Sequence, residues 1–116
     1  MKQISIQFPK LDEEIIFCTG NNANENIELL DTSDENGLWF HVHNQPSCHV
    51  ISSAIPDKID RKTMQMIVKQ GALECKKHSK FASIKNLEII YTFVKNVEKT
   101  KILGSVNATN TKIVIC

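Results

Sequence analysis

The sequence predicts an α+β domain, in which a mixed, mostly antiparallel sheet carries one long amphipathic helix. Three observations predict this class: several short segments alternate apolar and polar residues, one long segment has helical periodicity, and no linker divides the chain. With 116 residues, 41% apolar and 23% charged, the composition is typical of a globular protein. We therefore expect residues 1–116 to form a single domain.

The N-terminal part contains two strand patterns and one short helix pattern. Residues 3–8 alternate apolar and polar side chains, and residues 15–18 form a short apolar run before a turn. Asn24 or Asn26 is suited to cap a helix over residues 25–30.

A β-hairpin is predicted in the middle of the chain. Residues 38–43 and 48–53 are β-prone and are separated by the turn-forming residues 44–47. Because side chains alternate along a strand, one face of the first segment carries Trp39, His41 and His43. We expect this face to be the more polar one.

The longest helix is predicted over residues 58–79. Its apolar positions follow helical spacing and consist of Met64, Ile67, Val68, Gly71, Ala72 and Cys75. Four lysines lie together on the opposite, outer side, and we call them the basic ridge: Lys62, Lys69, Lys76 and Lys80.

Two strands complete the prediction. They cover residues 86–92 and 111–116, and a loop that carries Lys95, Lys99 and Lys101 connects them, with Gly104 at a turn.

The charge is distributed unevenly, although the formal total is only +1. Residues 1–57 carry two lysines against nine acidic residues, whereas residues 58–116 carry eleven lysines and Arg61 against four acidic residues. This asymmetry indicates either a basic surface for a polyanion or salt bridges between the two halves. We expect the lysines to gather on one face beside the hairpin with Trp39.

Other features limit the class of protein. No apolar run is long enough for a membrane span, and the N-terminus lacks a signal-peptide pattern. The four cysteines show no CxxC spacing, so reduced thiols are expected. We therefore expect a cytoplasmic protein without a membrane partner.

The hairpin also raises the question of catalysis. His41, His43, Cys48 and His49 are residue types that bind zinc or form a nucleophilic pair. No known zinc spacing is matched, however, and neighbouring residues on a strand face opposite sides. We expect no metal, no cofactor and no catalytic residue. A histidine- or metal-dependent RNA-processing enzyme and a protein-interaction module remain the alternatives.

Binding to nucleic acid is the favoured function. The basic ridge and Lys95, Lys99 and Lys101 are suited to phosphate contacts, and three aromatic residues are suited to base stacking: Trp39, Tyr91 and Phe93. A single arginine argues against bidentate readout of bases.

These motifs resemble a known family. Residues 37–42 (GLWFHV) followed by residues 46–50 (PSCHV) are similar to the D-[IL]-W-F-H-V and P-G-S-H-V core of the NFACT-R domain. Residues 20–29 resemble its G-R-N-N segment, and the similarity continues to the C-terminus through Tyr91-Thr92 and residues 97–106. The sequence departs from the pattern at Asn21, where the family has arginine, and at Gly37, where it has an acidic residue.

The resemblance implies a non-enzymatic RNA-binding module of the kind found in ribosome quality-control factors. Its implied partners are tRNA or ribosomal RNA and the large ribosomal subunit. The motif positions carried over are Gly20, Asn22, Asn26, Trp39, His41, His49, Tyr91, Lys99 and Gly104. From these and the lysines, the predicted nucleic-acid-binding residues are Asn22, Trp39, His41, His49, Lys62, Lys69, Lys76, Lys80, Tyr91, Lys95, Lys99 and Lys101.

Overall fold

A computed structural model describes all 116 residues. It contains eight strands and two helices: β1 (Lys2–Ile6), β2 (Ile15–Thr19), α1 (Ala23–Thr32), β3 (Leu38–Val42), β4 (Val50–Ser52), α2 (Arg61–Lys77), β5 (Glu88–Phe93), β6 (Val97–Lys99), β7 (Val106–Ala108) and β8 (Lys112–Ile115). No helix is both long enough and apolar enough to span a membrane.

Six strands form one sheet in the order β1-β2-β4-β3-β5-β8, and every neighbouring pair is antiparallel. The remaining strands, β6 and β7, form a separate antiparallel pair. The predicted α+β class with a mostly antiparallel sheet is therefore confirmed. A second, shorter helix accompanies the long one.

Helix α2 covers one face of the sheet. Asp60 caps its N-terminus by accepting a hydrogen bond from the Thr63 amide at 3.2 Å, which satisfies a backbone donor that the helix leaves free. The helix contributes Ile67, Ala72 and Cys75 to a core that also contains Phe17, Phe40, Val42, Val50 and Ile89. At Gly71 an added Cβ would lie 2.3 Å from the Phe40 ring, so glycine permits this close approach.

Helix α1 and the β6–β7 hairpin cover part of the opposite face. A second core forms on this face. Leu29 and Leu30 of α1 pack with Trp39, Ile51 and Val94, and apolar side chains of the hairpin pack against them. The strands of the hairpin have three residues each, and the sequence pattern predicted a lysine-bearing loop for most of this region.

The N-terminus of α1 also differs from the prediction. Asn22 caps the helix, with its side chain accepting from the Glu25 amide at 2.9 Å. Neither Asn24 nor Asn26 does so, because both lie within the helix. The helix ends at Thr32 rather than at Leu30.

Candidate nucleic-acid interface

A groove lies between α2 and the sheet edge formed by β5 and β8. Its volume is about 540 Å³, and its walls include Tyr91 and Phe93 from β5, Arg61 and Lys69 from α2, and Lys112 from β8. The groove therefore places two aromatic rings beside three cationic side chains.

Strand register explains why the aromatic and basic residues meet. Tyr91 and Phe93 are two residues apart on β5, so they face the same side of the sheet. Lys112 lies directly opposite Tyr91 in the pairing of β5 with β8. The Tyr91 ring stacks on Phe40 with centroids 5.8 Å apart, and burial raises the pKa of the Tyr91 hydroxyl. Phe40 therefore holds the Tyr91 ring in place, and the Tyr91 hydroxyl is uncharged at neutral pH.

The cations of the groove have no acidic partners. Arg61, Lys69 and Lys112 form no salt bridge, and no aspartate or glutamate lines the groove. All three side chains are exposed. Unpaired cations beside aromatic rings suit a chain of phosphates whose bases stack on the rings.

Lys95 lies close to this groove. Its Nζ atom is 5.0 Å from the centroid of the Phe93 ring, which is a cation–π distance. The same amine donates a hydrogen bond of 3.4 Å to the Asn36 side chain. Of the predicted site residues, the structure thus brings together Lys69, Tyr91 and Lys95.

The other predicted lysines lie elsewhere. Lys62 is exposed on α2 but does not line the groove, and Lys101 is exposed in the β6–β7 hairpin. Lys76 is half-buried and donates to the main-chain oxygen of Cys116 at 2.9 Å. Lys80 lies beyond α2, in a depression that it shares with Asn21 and Ser47.

Lys99 is held by an acidic residue. Its Nζ atom lies 2.8 Å from the Asp31 carboxylate, and this is the only salt bridge between a lysine or arginine of residues 58–116 and an acidic residue of residues 1–57. The charge asymmetry of the sequence is therefore not explained by pairing between the two halves.

Trp39, His41 and His49 lie on the other face of the sheet from α2. The Trp39 and His41 rings stack with centroids 5.4 Å apart, and His49 packs edge-on against both rings, 5.4 Å from Trp39 and 5.2 Å from His41. We call these three residues the ring cluster. Trp39 and His49 are each only 1% exposed.

This arrangement corrects two expectations. Trp39 is too deeply buried to offer a stacking surface, because α1, β4 and the β6–β7 hairpin cover it, so the expected stacking surface at Trp39 is not present. The lysines also do not gather on one face, because Lys62, Lys69 and Lys76 belong to α2 on the opposite layer of the fold, whereas Lys99 and Lys101 belong to the β6–β7 hairpin.

The histidines of the ring cluster are neutral at physiological pH. Burial lowers the pKa of His49 to about 3, with a further contribution from the charge of His41. Burial also lowers the pKa of His41, partly offset by its hydrogen bond to the Val42 carbonyl. No three His, Cys, Asp or Glu side chains are grouped to hold a metal ion.

Several residues of the N-terminal motif, residues 20–29, form hydrogen bonds with His49 beside the ring cluster. The Asn26 side chain accepts a hydrogen bond of 3.2 Å from the His49 amide, and the Gly20 amide donates to the His49 carbonyl at 3.0 Å. A Cβ on Gly20 would lie only 2.2 Å from the Asn26 side-chain oxygen. These contacts, together with the cap at Asn22, give the motif a structural role.

Two groove residues were missed by the sequence reasoning, Arg61 and Lys112. The signal for Lys112 is its position two residues before Val114, which packs against the core beneath α2 and so predicts the same face for both. Arg61 shares the groove side of α2 with Met64, Gln65 and Val68, which is a helical spacing that the sequence contains.

A small α+β fold with unpaired cations beside half-exposed aromatic rings is typical of a nucleic-acid-binding domain. The comparison with family models agrees with this class and makes it specific. Residues 6–109 match the model described as the NFACT protein RNA binding domain. The chain therefore belongs to this family, and the resemblance inferred from its motifs is confirmed.

Comparison with solved structures supports the fold. One similar structure is described as the C-terminal part of the fibronectin/fibrinogen-binding protein from Streptococcus suis, with a TM-score of 0.77 and 19% identity. The match covers 96% of this chain and 43% of that one, so this chain spans less than half of the length of that solved chain. The comparison with curated proteins found no match.

Proposed function

We propose that this domain binds RNA of the translation apparatus, either tRNA or ribosomal RNA, and that it does so in the cytoplasm without catalysing a reaction on the RNA. The groove between α2 and β5–β8 is the proposed contact surface. Membership of the RNA-binding family supports RNA as the ligand, and the groove supports the mode of binding.

The observation that carries the proposal is the set of three unpaired cations beside Tyr91 and Phe93. Cations that form no internal ion pair gain the most from phosphate contacts, since no existing pair has to be broken. Aromatic rings accept the face of any base, so this surface favours unpaired nucleotides over a regular duplex.

The groove also argues against catalysis at this position. It contains no histidine, cysteine or carboxylate, which are the side chains that most often act as nucleophile or general base. The histidines of the ring cluster lie on the other face of the sheet. The alternative of a histidine-dependent RNA-processing enzyme would therefore require RNA to be bound there.

The test removes the three charges while keeping the side chains polar. We expect the triple variant Arg61→Gln, Lys69→Gln, Lys112→Gln to weaken binding of labelled single-stranded RNA and of tRNA. The slope of log affinity against log salt concentration should become shallower by about 0.7 to 0.9 for each phosphate that the protein no longer neutralises. Fluorescence polarisation at several KCl concentrations measures both quantities.

A matched control removes the same charge elsewhere. Lys2, Lys77 and Lys85 are exposed and do not line the groove, so their triple change to glutamine should leave the salt slope close to that of the unchanged protein. Equal reductions of affinity in the two triple variants would contradict the groove as the contact surface. Crosslinking in cells followed by sequencing of the attached RNA would decide between tRNA and ribosomal RNA.

Stacking can be tested separately from charge. Tyr91→Ala should weaken binding of single-stranded RNA by about 1 to 3 kcal/mol without changing the salt slope, because the substitution removes a stacking surface but no positive charge. Tyr91→Phe keeps the ring and should bind almost normally. A Tyr91→Ala variant with unchanged affinity and normal stability would remove stacking from the proposal.

A further inference from the structure

A second cleft lies on the face of the sheet opposite α2, between the ring cluster and the β6–β7 hairpin. Its volume is about 390 Å³, and its walls combine the three rings of the cluster with Ile90, Ser105 and Val106. This volume is near the lower end of the range for pockets that bind small molecules. No lysine, arginine, aspartate or glutamate lines it.

Two buried polar atoms of residues that line the cleft have no partner within the protein. Trp39 Nε1 and His49 Nδ1 are both buried, and neither forms a hydrogen bond. Buried polar groups in folded proteins almost always have a partner, and an unpartnered one indicates a bound ligand, a solvent molecule or a functional role. The two unpartnered atoms belong to one ring cluster beside one cleft, and this observation does not depend on the volume of the cleft.

His41 adds a further polar group. Its Nδ1 atom lies 2.6 Å from the Val42 carbonyl oxygen, and because that oxygen only accepts, a neutral His41 must donate from Nδ1. Its Nε2 atom is then a hydrogen-bond acceptor, and the fold supplies no donor for it. The ring is half-exposed, so a ligand in the cleft can reach it.

These features define the chemistry of the ligand. A phosphate or carboxylate is disfavoured, since no lysine or arginine lines the cleft to neutralise it. A neutral, planar heterocycle fits better, because His41 offers an acceptor, and aromatic and aliphatic side chains enclose a flat ring.

We propose that this cleft binds a nucleobase, through its flat face and one polar edge. The choice of a nucleobase among planar heterocycles rests on the proposed function, which brings RNA to the protein. The base belongs either to a nucleotide of the bound strand or to a free nucleotide, and the same contacts serve both.

Trp39 makes the test selective, because it is the only tryptophan in the chain. We expect AMP, GMP, CMP or UMP, or a single-stranded RNA octamer, to change the emission of Trp39 in a saturable way. His41→Phe keeps a ring on Trp39 and removes the acceptor, so its Kd should rise about tenfold. Ser105→Phe fills the cleft from the hairpin side without altering the ring cluster and should raise the Kd by a similar factor.

The matched control is His78→Phe. His78 follows the last residue of α2 and lines neither the cleft nor the groove, so the Kd of this variant should change less than about twofold. If His41→Phe and Ser105→Phe both bind like the unchanged protein, the cleft is not the binding site.

The triple groove variant separates the two sources of the base. A response to mononucleotides that survives in this variant supports a site for free nucleotides, whereas a response to RNA alone, abolished in this variant, supports a base of the bound strand. RNA binding by polarisation with no change in Trp39 emission would overturn the cleft proposal and leave the proposed function intact. Mononucleotide binding without any RNA binding would support the cleft proposal and contradict the proposed function.

Discussion

The two faces of the sheet differ in the kind of surface that they offer. Beneath α2, the groove combines unpaired cations with two aromatic rings, Tyr91 and Phe93, and one edge is open to solvent. On the other face, Trp39 and His49 are buried, and no lysine, arginine or carboxylate lines the neighbouring cleft. One face is thus suited to the phosphates of a strand and the other to an uncharged ring.

The comparison also distinguishes residues that identify the family from residues that line the groove. Residues 39–42 and His49 carry the resemblance to the family, yet their buried members pack inside the fold. Trp39 and His49 lie on the face that carries α1 and the β6–β7 hairpin, and Phe40 and Val42 lie beneath α2. The groove cations Arg61, Lys69 and Lys112 lie outside those motifs. A residue that identifies the family is therefore not for that reason a residue that contacts the ligand.

The largest expected effect concerns the packing of the sheet face that carries Trp39. Trp39→Ala should lower the free energy of unfolding by about 3 to 5 kcal/mol, the usual cost of deleting a buried aromatic side chain. Phe40→Ala, on the face beneath α2, should cost a similar amount because Phe40 is fully buried. Urea denaturation followed by circular dichroism measures both variants.

A small effect of Trp39→Ala would contradict this comparison of the two faces. If Trp39→Ala lowered the free energy of unfolding by less than about 1 kcal/mol while Phe40→Ala had its full effect, the second face would be loosely packed. Trp39 would then be free to move into contact with a ligand, and its assigned structural role would be wrong.

The next effect concerns the neutral histidines. The pKa of His49 is about 3 in the folded protein and about 6.5 when unfolded. Between these values the unfolded chain binds a proton that the folded protein does not, so stability is lost as the pH falls below about 6.5. The expected decrease approaches 1.4 kcal/mol per pH unit for His49, and the lowered pKa of His41 adds to it.

Denaturation between about pH 6.5 and 5 isolates this effect, because carboxyl groups with lowered pKa values act at lower pH. His49→Gln should reduce the dependence of stability on pH, even if the variant is less stable overall. A slope unchanged by this substitution would show that His49 does not remain neutral in the folded protein.

Much of the sheet could be predicted from the sequence, because alternation within single strands is a local property. The hairpin of β3 and β4 and the stripe on α2 are examples. The β6–β7 hairpin was not predicted, since strands of three residues give too short a pattern to distinguish from a loop. It is stabilised by contacts with Leu29, Leu30 and Trp39, which are distant in sequence.

The candidate site was predicted less completely. Lysines on one side of a helix can be identified by their spacing, but whether they face Tyr91 depends on how α2 crosses the sheet. The position of Lys112 depends on the register of β8 with β5. Composition indicated that the charges exist, whereas only the tertiary structure distinguishes Lys69, which is unpaired, from Lys99, which is paired with Asp31.

The smallest expected effect concerns that pair. Lys99 and Asp31 are each 51% exposed, and exposed ion pairs contribute about 0.2 to 1 kcal/mol. A double-mutant cycle with Lys99→Met and Asp31→Asn should give a coupling energy in this range, and the coupling should fall at high salt. Because Lys99 extends from the β6–β7 hairpin toward α1, away from the groove, Lys99→Met should weaken RNA binding less than Lys69→Met does. The opposite order would move the main RNA contact to the face that carries α1 and the hairpin.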